Sequence, residues 1–315
     1  MSGTVGEATR GIRASPGRRG SEGGAVDRPQ SVTRALANMV GAAIAFAFLN
    51  VAVKALRDEL PTVQLVWVRT LGHLLLVVAV FAPRHGLRLF ETQHPVFQLV
   101  RSCLLLTSTA FYVTAIGFVA LATAATISFM TPVLIAVLAG PLLGERVGLR
   151  RWAAVGMGLL GVLIVARPGA DAANLASLLV LGSATASALY DLLTRRVVAS
   201  DPPETAVGYA AVVGAVVLGL VMPLVWTTPK SWTSVAILLS LGLWGGLGHY
   251  FTARAYHCAP ASVVAPFSYL QLLGAAVGGY LAFGEVPGAG VWIGAALIVA
   301  SGLFLVYAEG RARRV

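Results

Sequence analysis

Four ionisable side chains interrupt long apolar runs of the 315-residue chain: Lys54, Arg69, Arg101 and Asp191. A charge surrounded by hydrocarbon is costly, so such groups face a bundle interior or a wet cavity, where they pair with one another or meet a solute. Arg69 stands about 10 Å along its run at 1.5 Å per residue, too deep to be an end effect, and is the strongest candidate to touch a solute. Lys54 and Arg101 lie nearer the ends of theirs, where a long basic side chain can also snorkel to water. Asp191 has Arg195 one helical turn on as a partner. It is nearly the sole acid within an apolar run, which argues against a dedicated proton relay and for facilitated diffusion or exchange.

Two further acids, Glu145 and Glu285, follow glycines at the ends of apolar runs, as gates or as caps of the next helix; Glu145 has Arg146, Arg150 and Arg151 beside it. A polar and aromatic set completes the chemistry: Asn50, Thr107, Tyr112, Ser128, Thr131, Tyr190, Tyr250, Ser268, Tyr269 and Gln271. Small-molecule sites combine apolar walls with a few directed polar groups of this kind. Ser and Thr in apolar helices also bond to neighbouring or own-chain carbonyls, so part of the set only packs. Pro132 and Pro266 each remove a helix hydrogen bond, a break tolerated where a cavity or neighbour satisfies the backbone.

The elements that carry these residues are apolar runs long enough to cross a bilayer, which takes about 20 residues. There are ten: roughly 35–55, 63–82, 95–118, 122–143, 148–166, 175–193, 206–225, 232–255, 261–283 and 288–307. Runs such as "LLLVVAVF" do not alternate as barrel strands would, so an all-α membrane protein of ten transmembrane helices is predicted. The composition agrees: 57% hydrophobic, 11% charged and a mean hydropathy of +0.81. The formal charge of +10 suits nucleic acid only if the basic residues gather on a soluble face. Here they lie in the links, so the partner is the lipid bilayer and no nucleic acid is expected.

With the N-terminus inside, and the first 31 residues left out, the inner segments hold twelve arginines against Arg57, Arg167 and Lys230 in the outer links. The positive-inside rule therefore puts both termini in the cytoplasm. Residues 1–31, rich in Gly, Ser and Arg, bury too little surface to order themselves and read as a disordered tail. The run that follows is too long for a cleaved signal peptide and reads as the first retained helix.

The chain repeats itself at an interval of 140: Ala115 with Ala255, Ser128 with Ser268, Gly144–Glu145 with Gly284–Glu285, Gly148 with Gly288, and Trp152 with Trp292. Two five-helix units follow, at 32–170 and 171–310, with a basic tail at 311–315. An odd number of spans inverts the second copy, the usual construction of secondary transporters.

At this point the chain resembles a known family. "ALATAATISFMTPVLIAVLAGPLLGERV" (120–147), with its mid-helix proline and terminal Gly-Glu, is similar to the most recognisable stretch of the EamA domain of the drug/metabolite transporter superfamily, and "APASVVAPFSYLQLLGAAVGGYLAFGEVP" (259–287) is close to it. The resemblance covers about residues 32–310. It implies a carrier of a small organic metabolite, with the third, fourth, eighth and ninth helices, joined by the first and sixth, around a central cavity. Such a family moves amino acids, nucleotide sugars, vitamins, cofactors and small cations or drugs. Several aromatics and few acids suit a flat or zwitterionic solute better than a bare cation.

Other functions lack their residues. "GMGLLG" (156–161) has the spacing of a dinucleotide fingerprint but lies inside an apolar helix with no strand before it; its glycines read as close-packing points, as do Gly242 with Gly246 and Gly274 with Gly278. His73, His85, His94, His249 and His257 make no HExxH and no compact cluster with acids, and no G-x-S-x-G elbow occurs, so neither a catalytic role nor a metal is expected. Cys103 and Cys258 are too few for a thiolate metal site and read as small buried hydrophobes. No cofactor is expected. A binding or assembly protein without transport is the nearest alternative to a carrier, a membrane enzyme a more distant one, and a homodimer is among the assemblies the sequence allows.

Overall fold

The ten apolar runs become helices, and two of them are broken. A computed structural model describes residues 32–86, 91–143, 149–166, 172–197, 203–258 and 264–312. The predicted tail 1–31, Glu145, and most of the basic tail 311–315 lie outside these residues. The first three runs form α1 (Val32–Leu56), α2 (Thr62–His85) and α3 (Pro95–Ala115), and the fourth is split into α4 (Leu121–Ser128) and α5 (Thr131–Leu143). Next come α6 (Leu149–Ala166), α7 (Ala172–Val197), α8 (Pro203–Val225) and α9 (Trp232–Cys258). The ninth run opens with a 3-10 turn, Ala265–Tyr269, and continues as α10 (Leu270–Phe283); α11 (Ala289–Ala312) ends the described chain.

Stretches of α1, α2, α3, α7, α8 and α9 are long and apolar enough to cross a membrane. Shorter apolar stretches follow at Leu121–Ile135, Trp152–Ala166, Phe267–Phe283 and Ala289–Phe304. The described residues contain no strand. Helices satisfy every interior backbone group within the segment, which is why a chain this apolar adopts them in lipid. Large side chains that would be buried in a soluble protein lie open on the outside of the bundle, among them Leu220, Leu224 and Leu281 at 77%, 85% and 76% exposure. Hydrocarbon is as apolar as leucine, so this surface is a lipid face.

Small residues set the crossings. A Cβ on Gly72 of α2 would stand 2.6 Å from the Cα of Gly242 on α9, so neither position accepts a side chain without separating the helices. Gly161, the last glycine of "GMGLLG", approaches the backbone of Gly294 on α11 in the same way, so that motif packs α6 on α11. Inter-helix hydrogen bonds add to these contacts: Ser301 Oγ donates to the Ala154 carbonyl at 2.7 Å, and Ser108 of α3 meets Ser183 and Ser187 of α7 at 3.0 and 2.7 Å. Each such bond contributes about 0.6 kcal/mol in a membrane bundle.

The packing pairs recur across the chain. α1 lies on α9 and α3 on α7; α2 packs on α9 and α3 on α8; α1 meets α10 while α7 meets α4 and α5; and α2 lies on α8, α6 on α11 and α4 on α10. Counted in spans, each of these contacts either has a partner five spans on or joins a span to its own counterpart, while α2 on α3, α6 on α4 and α5, and α11 on α4 and α5 add to them. Pro83 and Pro223 stand at the same interval of 140, inside α2 and α8.

The break in the fourth span has a local cause. Pro132 has no N–H, so the carbonyl of Ser128, four residues earlier, loses its helical donor. Thr131 Oγ1 supplies the replacement at 2.8 Å and lies 3.4 Å from the Ala184 carbonyl of α7. The 3-10 turn of the ninth span holds Pro266. Phe129 and Tyr269, 140 residues apart at the two breaks, touch each other with ring centroids 4.9 Å apart.

Candidate functional site: a cationic pocket at mid-bundle

A pocket forms between α2, α3, α8 and α9. Arg69, Thr70 and His73 line it from α2, Leu105, Leu106 and Thr109 from α3, Ala210 and Gly214 from α8, and Gly245 and His249 from α9. Leu105, Gly214 and Gly245 stand at the centres of their helices and His73 beside the centre of α2, so the pocket lies at half the depth of the bundle.

Arg69 and His73 reach it together because residues four apart share a helix face. The Arg69 side chain runs along Gly245, where an added Cβ would come 3.6 Å from Nε. The imidazoles of His73 and His249 stack with centroids 5.4 Å apart at an interplanar angle of 19°, and Phe46 of α1 closes on His249 edge-on at 5.3 Å. Tyr112, one turn beyond Thr109 on α3, lies in the electrostatic field of the Arg69 guanidinium. The pocket thus joins one permanent cation, two imidazoles and hydroxyls to leucine walls, and the described residues lining it include no carboxylate.

Of the expected residues, Arg69 lines this pocket and Tyr112 stands one helical turn beyond its Thr109. The others are distributed elsewhere. Tyr190 packs on Arg101, its hydroxyl 3.2 Å from Nη2 and its ring centroid 4.8 Å from the guanidinium carbon. Arg101 does not snorkel: it is 1% exposed and donates to Gln98 at 2.9 Å. Asp191 stands half-buried beside Tyr190. Tyr250 turns away from the pocket, exposed, against Phe251 and Arg254. Ser128 spends its hydroxyl on the Ala124 carbonyl, and Thr131 on the break described above. Tyr269 sits at the second break with its hydroxyl against Gly302; Ser268 and Gln271 flank it half-buried, and Asn50 is half-buried on α1. Cys103 is exposed on α3, not buried.

The pocket also departs from the helices expected to surround it. α3 and α9, the third and eighth spans, contribute; the first, fourth, sixth and ninth supply none of the lining residues, and the second and seventh take their place. His73 and His249 were legible only in part. Arg69 and His73 share a face by their spacing, but nothing in the sequence joins either to a histidine 176 positions later.

A second polar cluster stands at the end of the bundle where α1 finishes. Lys54 forms an ion pair with Glu285 and donates to the Val119 carbonyl at 2.7 Å. Glu285 Oε2 accepts the backbone N–H of Leu121 at 2.9 Å, the first residue of α4, where a negative charge is favoured. Gly284 makes this possible: at φ +67 it ends α10 in the left-handed conformation, which glycine adopts without a Cβ penalty, and turns Glu285 back towards α1. Beside this pair the α1–α2 and α8–α9 links are joined. Glu59 accepts the Lys230 N–H at 2.5 Å and the Ser234 hydroxyl at 2.7 Å. Gln64 exchanges two hydrogen bonds with the backbone of Thr227, at 2.8 and 2.9 Å. The Lys230 N–H first, and the Ser234 hydroxyl second, hold the Glu59 carboxyl below its ordinary range.

Comparison with known proteins agrees with this architecture. The profile of the EamA-like transporter family matches residues 33–167 and again 174–307. The chain belongs to the EamA-like transporter family. Among its relatives, a riboflavin transporter of Rhizobium johnstonii is 32% identical over 92% of this chain and 96% of its own. An S-adenosylmethionine uptake transporter of Rickettsia felis is 28% identical over 75% of this chain and 80% of its own. A crystal structure that is 20% identical shares the fold, with a TM-score of 0.61 over 87% of this chain and 97% of its own. The chain is thus a multi-pass membrane protein of the drug/metabolite transporter superfamily.

Proposed function

We propose that the chain is a secondary transporter of a small organic metabolite, of the amino acid, vitamin or cofactor-like class, and that it works by alternating access. The observation that carries this reading is the pocket at half-depth between α2 and α3 of one half and α8 and α9 of the other. Secondary carriers hold their solute near the membrane midplane, between two repeats that rock about it. The double family match, the recurring packing pairs and the contact of Phe129 with Tyr269 support two inverted units, 32–170 and 171–310. Relatives named for riboflavin and S-adenosylmethionine transport support the solute class.

On the topology read from the arginines, the chain sits in a cell inner membrane with both termini cytoplasmic. The Lys54–Glu285 pair and the ties of Glu59 and Gln64 then lie on the outer side, and their closure suits a state shut to the outside. Lys54 and Glu285 are the outer gate of this reading. Arg69 and Tyr112 are its solute contacts, and the breaks that hold Ser128, Thr131, Ser268, Tyr269 and Gln271 are its flexing points.

The deciding experiment is uptake into proteoliposomes of radiolabelled riboflavin, S-adenosylmethionine, nicotinate and amino acids. Saturable accumulation or exchange of one class is expected. A protein that binds a solute but moves none is an assembly or binding protein instead. Reporter fusions at both termini check the topology, and an external signal from either removes the inner and outer assignment.

A further inference from the structure

We propose that the solute of the midplane pocket presents an anionic group, carboxylate or phosphate oxygens, to Arg69. The proposal rests on the reading of that pocket as the solute site. Arginine keeps its charge at any accessible pH and offers five donors in a planar fork. Among the described residues, Arg69 makes no hydrogen bond or ion pair, and its guanidinium opens on the pocket. A lone guanidinium at half-depth is costly in a low-dielectric interior, and an anion that fits its fork offsets that cost.

The neighbours point to the same chemistry. Thr70 spends its hydroxyl on the Val66 carbonyl at 2.7 Å. The Thr109 hydroxyl and the ring nitrogens of His73 and His249, by contrast, bond to none of the described residues. Each imidazole offers at least one N–H and Thr109 an O–H, so the groups left over in the pocket can all donate. Groups able to donate, around a fixed positive charge and with no carboxylate among the described lining, form a receptor for oxygen anions. The same field repels a solute whose charged end is an ammonium or a sulfonium. The stacked imidazoles and the leucines of α3 add flat apolar walls, which favour a planar body behind the anionic group.

The test uses the full chain in detergent and matched pairs of solutes that differ only in the anionic group. The pairs are nicotinate with nicotinamide, and riboflavin 5′-phosphate with riboflavin; chloride and inorganic phosphate complete the set. Thermal midpoints and calorimetric Kd values are read on the unmodified protein, so the first answer needs no variant. The acid of at least one pair is expected to bind more tightly than its neutral partner by on the order of 10- to 100-fold, the worth of a charge-assisted hydrogen bond. Nicotinate alone assigns carboxylate, and the phosphate ester or inorganic phosphate alone assigns phosphate. Arg69→Gln should erase the preference for the acid over its neutral partner, while Arg69→Lys keeps part of it.

Equal binding within both pairs, or silence from all the anions, overturns the proposal. Failure of the carrier reading looks different. Arg69-dependent anion binding with no uptake into proteoliposomes keeps the anion site and ends the transporter. Uptake of a neutral or cationic solute that persists at full rate in Arg69→Gln keeps the transporter and ends the anion site.

Discussion

The two polar clusters of this bundle handle charge in opposite ways. At the end of the bundle that the proposed topology puts outside, Lys54 has Glu285 and the Val119 carbonyl, Glu285 has Lys54 and the Leu121 N–H, and Glu59 has Lys230 and Ser234. At half-depth, Arg69, His73, His249 and Thr109 make no hydrogen bond to any described residue. Satisfied polar groups rigidify a structure, whereas unsatisfied ones hold free energy that a ligand can release. On the proposed carrier reading, the outer cluster builds one state of the protein and the pocket is what that state encloses.

The sharpest way to break this contrast is to remove the pocket's charge. Replacing a buried ion pair by apolar residues of similar volume is often neutral or stabilising by about 1–4 kcal/mol, and the half-buried Arg69 has no hydrogen-bond partner to lose among the described residues. Arg69→Met should accordingly raise the melting midpoint or leave it unchanged while lowering the uptake rate at least about 100-fold, the worth of two charge-assisted bonds. Parallel melting and proteoliposome uptake measure both. A variant that melts early and still transports would make Arg69 a structural residue and the contrast false.

The outer cluster should respond in the reverse sense. Glu285→Ala leaves Lys54 without its counter-ion and the first turn of α4 without its acceptor, and Lys54 and Glu285 are only 15% and 18% exposed. Breaking such a pair from one side is expected to cost about 2–3 kcal/mol, below the range for full burial. The double variant Lys54→Ala/Glu285→Ala should recover part of that loss, because no orphaned charge remains. If the pair gates the pocket, cysteine-labelling reagents added from outside will reach a reporter at Thr109→Cys faster in Glu285→Ala than in the parent.

A smaller effect is expected where one hydroxyl replaces one missing backbone donor. Thr131→Val keeps the shape of the side chain and strands the Ser128 carbonyl beside Pro132. About 1 kcal/mol of stability should be lost, read as a lower midpoint in the same melting assay. An unchanged midpoint would mean that the break of the fourth span is satisfied by its neighbours alone.

These residues also mark how far the sequence can be read. Ten apolar runs, their helical state and the family were legible because hydropathy and an interval of 140 need no knowledge of contacts. Arg69 was legible because a charge inside a run announces itself. His249 was not: a histidine in "GGLGH" is chemically unremarkable until α9 brings it to His73, and that pairing depends on Gly72 letting α2 and α9 nearly touch. Tyr250 misled for a related reason, since it is the neighbour of a pocket residue and a one-residue step on a helix turns the side chain by about 100°. Lys54 and Glu285 were both visible as end charges. Their union across 231 positions depends on the left-handed turn at Gly284, which sequence suggests only as a helix stop.

The smallest predicted effect belongs to Glu59, half-exposed in the link between α1 and α2. Its folded carboxyl is held below the ordinary value of 4.5, first by the Lys230 N–H and then by the Ser234 hydroxyl. A depressed folded pKa means that the unfolded chain takes up the proton first as pH falls. The stabilisation by Glu59 is therefore complete above the unfolded value and is lost as pH drops through the folded one. Glu59→Gln should leave the melting midpoint at pH 7 slightly lowered and flatten its fall below pH 4.5, by less than the change in Glu285→Ala because water screens an exposed acceptor. A Glu59→Gln protein with the parent's acid limb would assign that limb to other carboxylates, and the tie between the α1–α2 and α8–α9 links would then rest on Gln64 and Thr227.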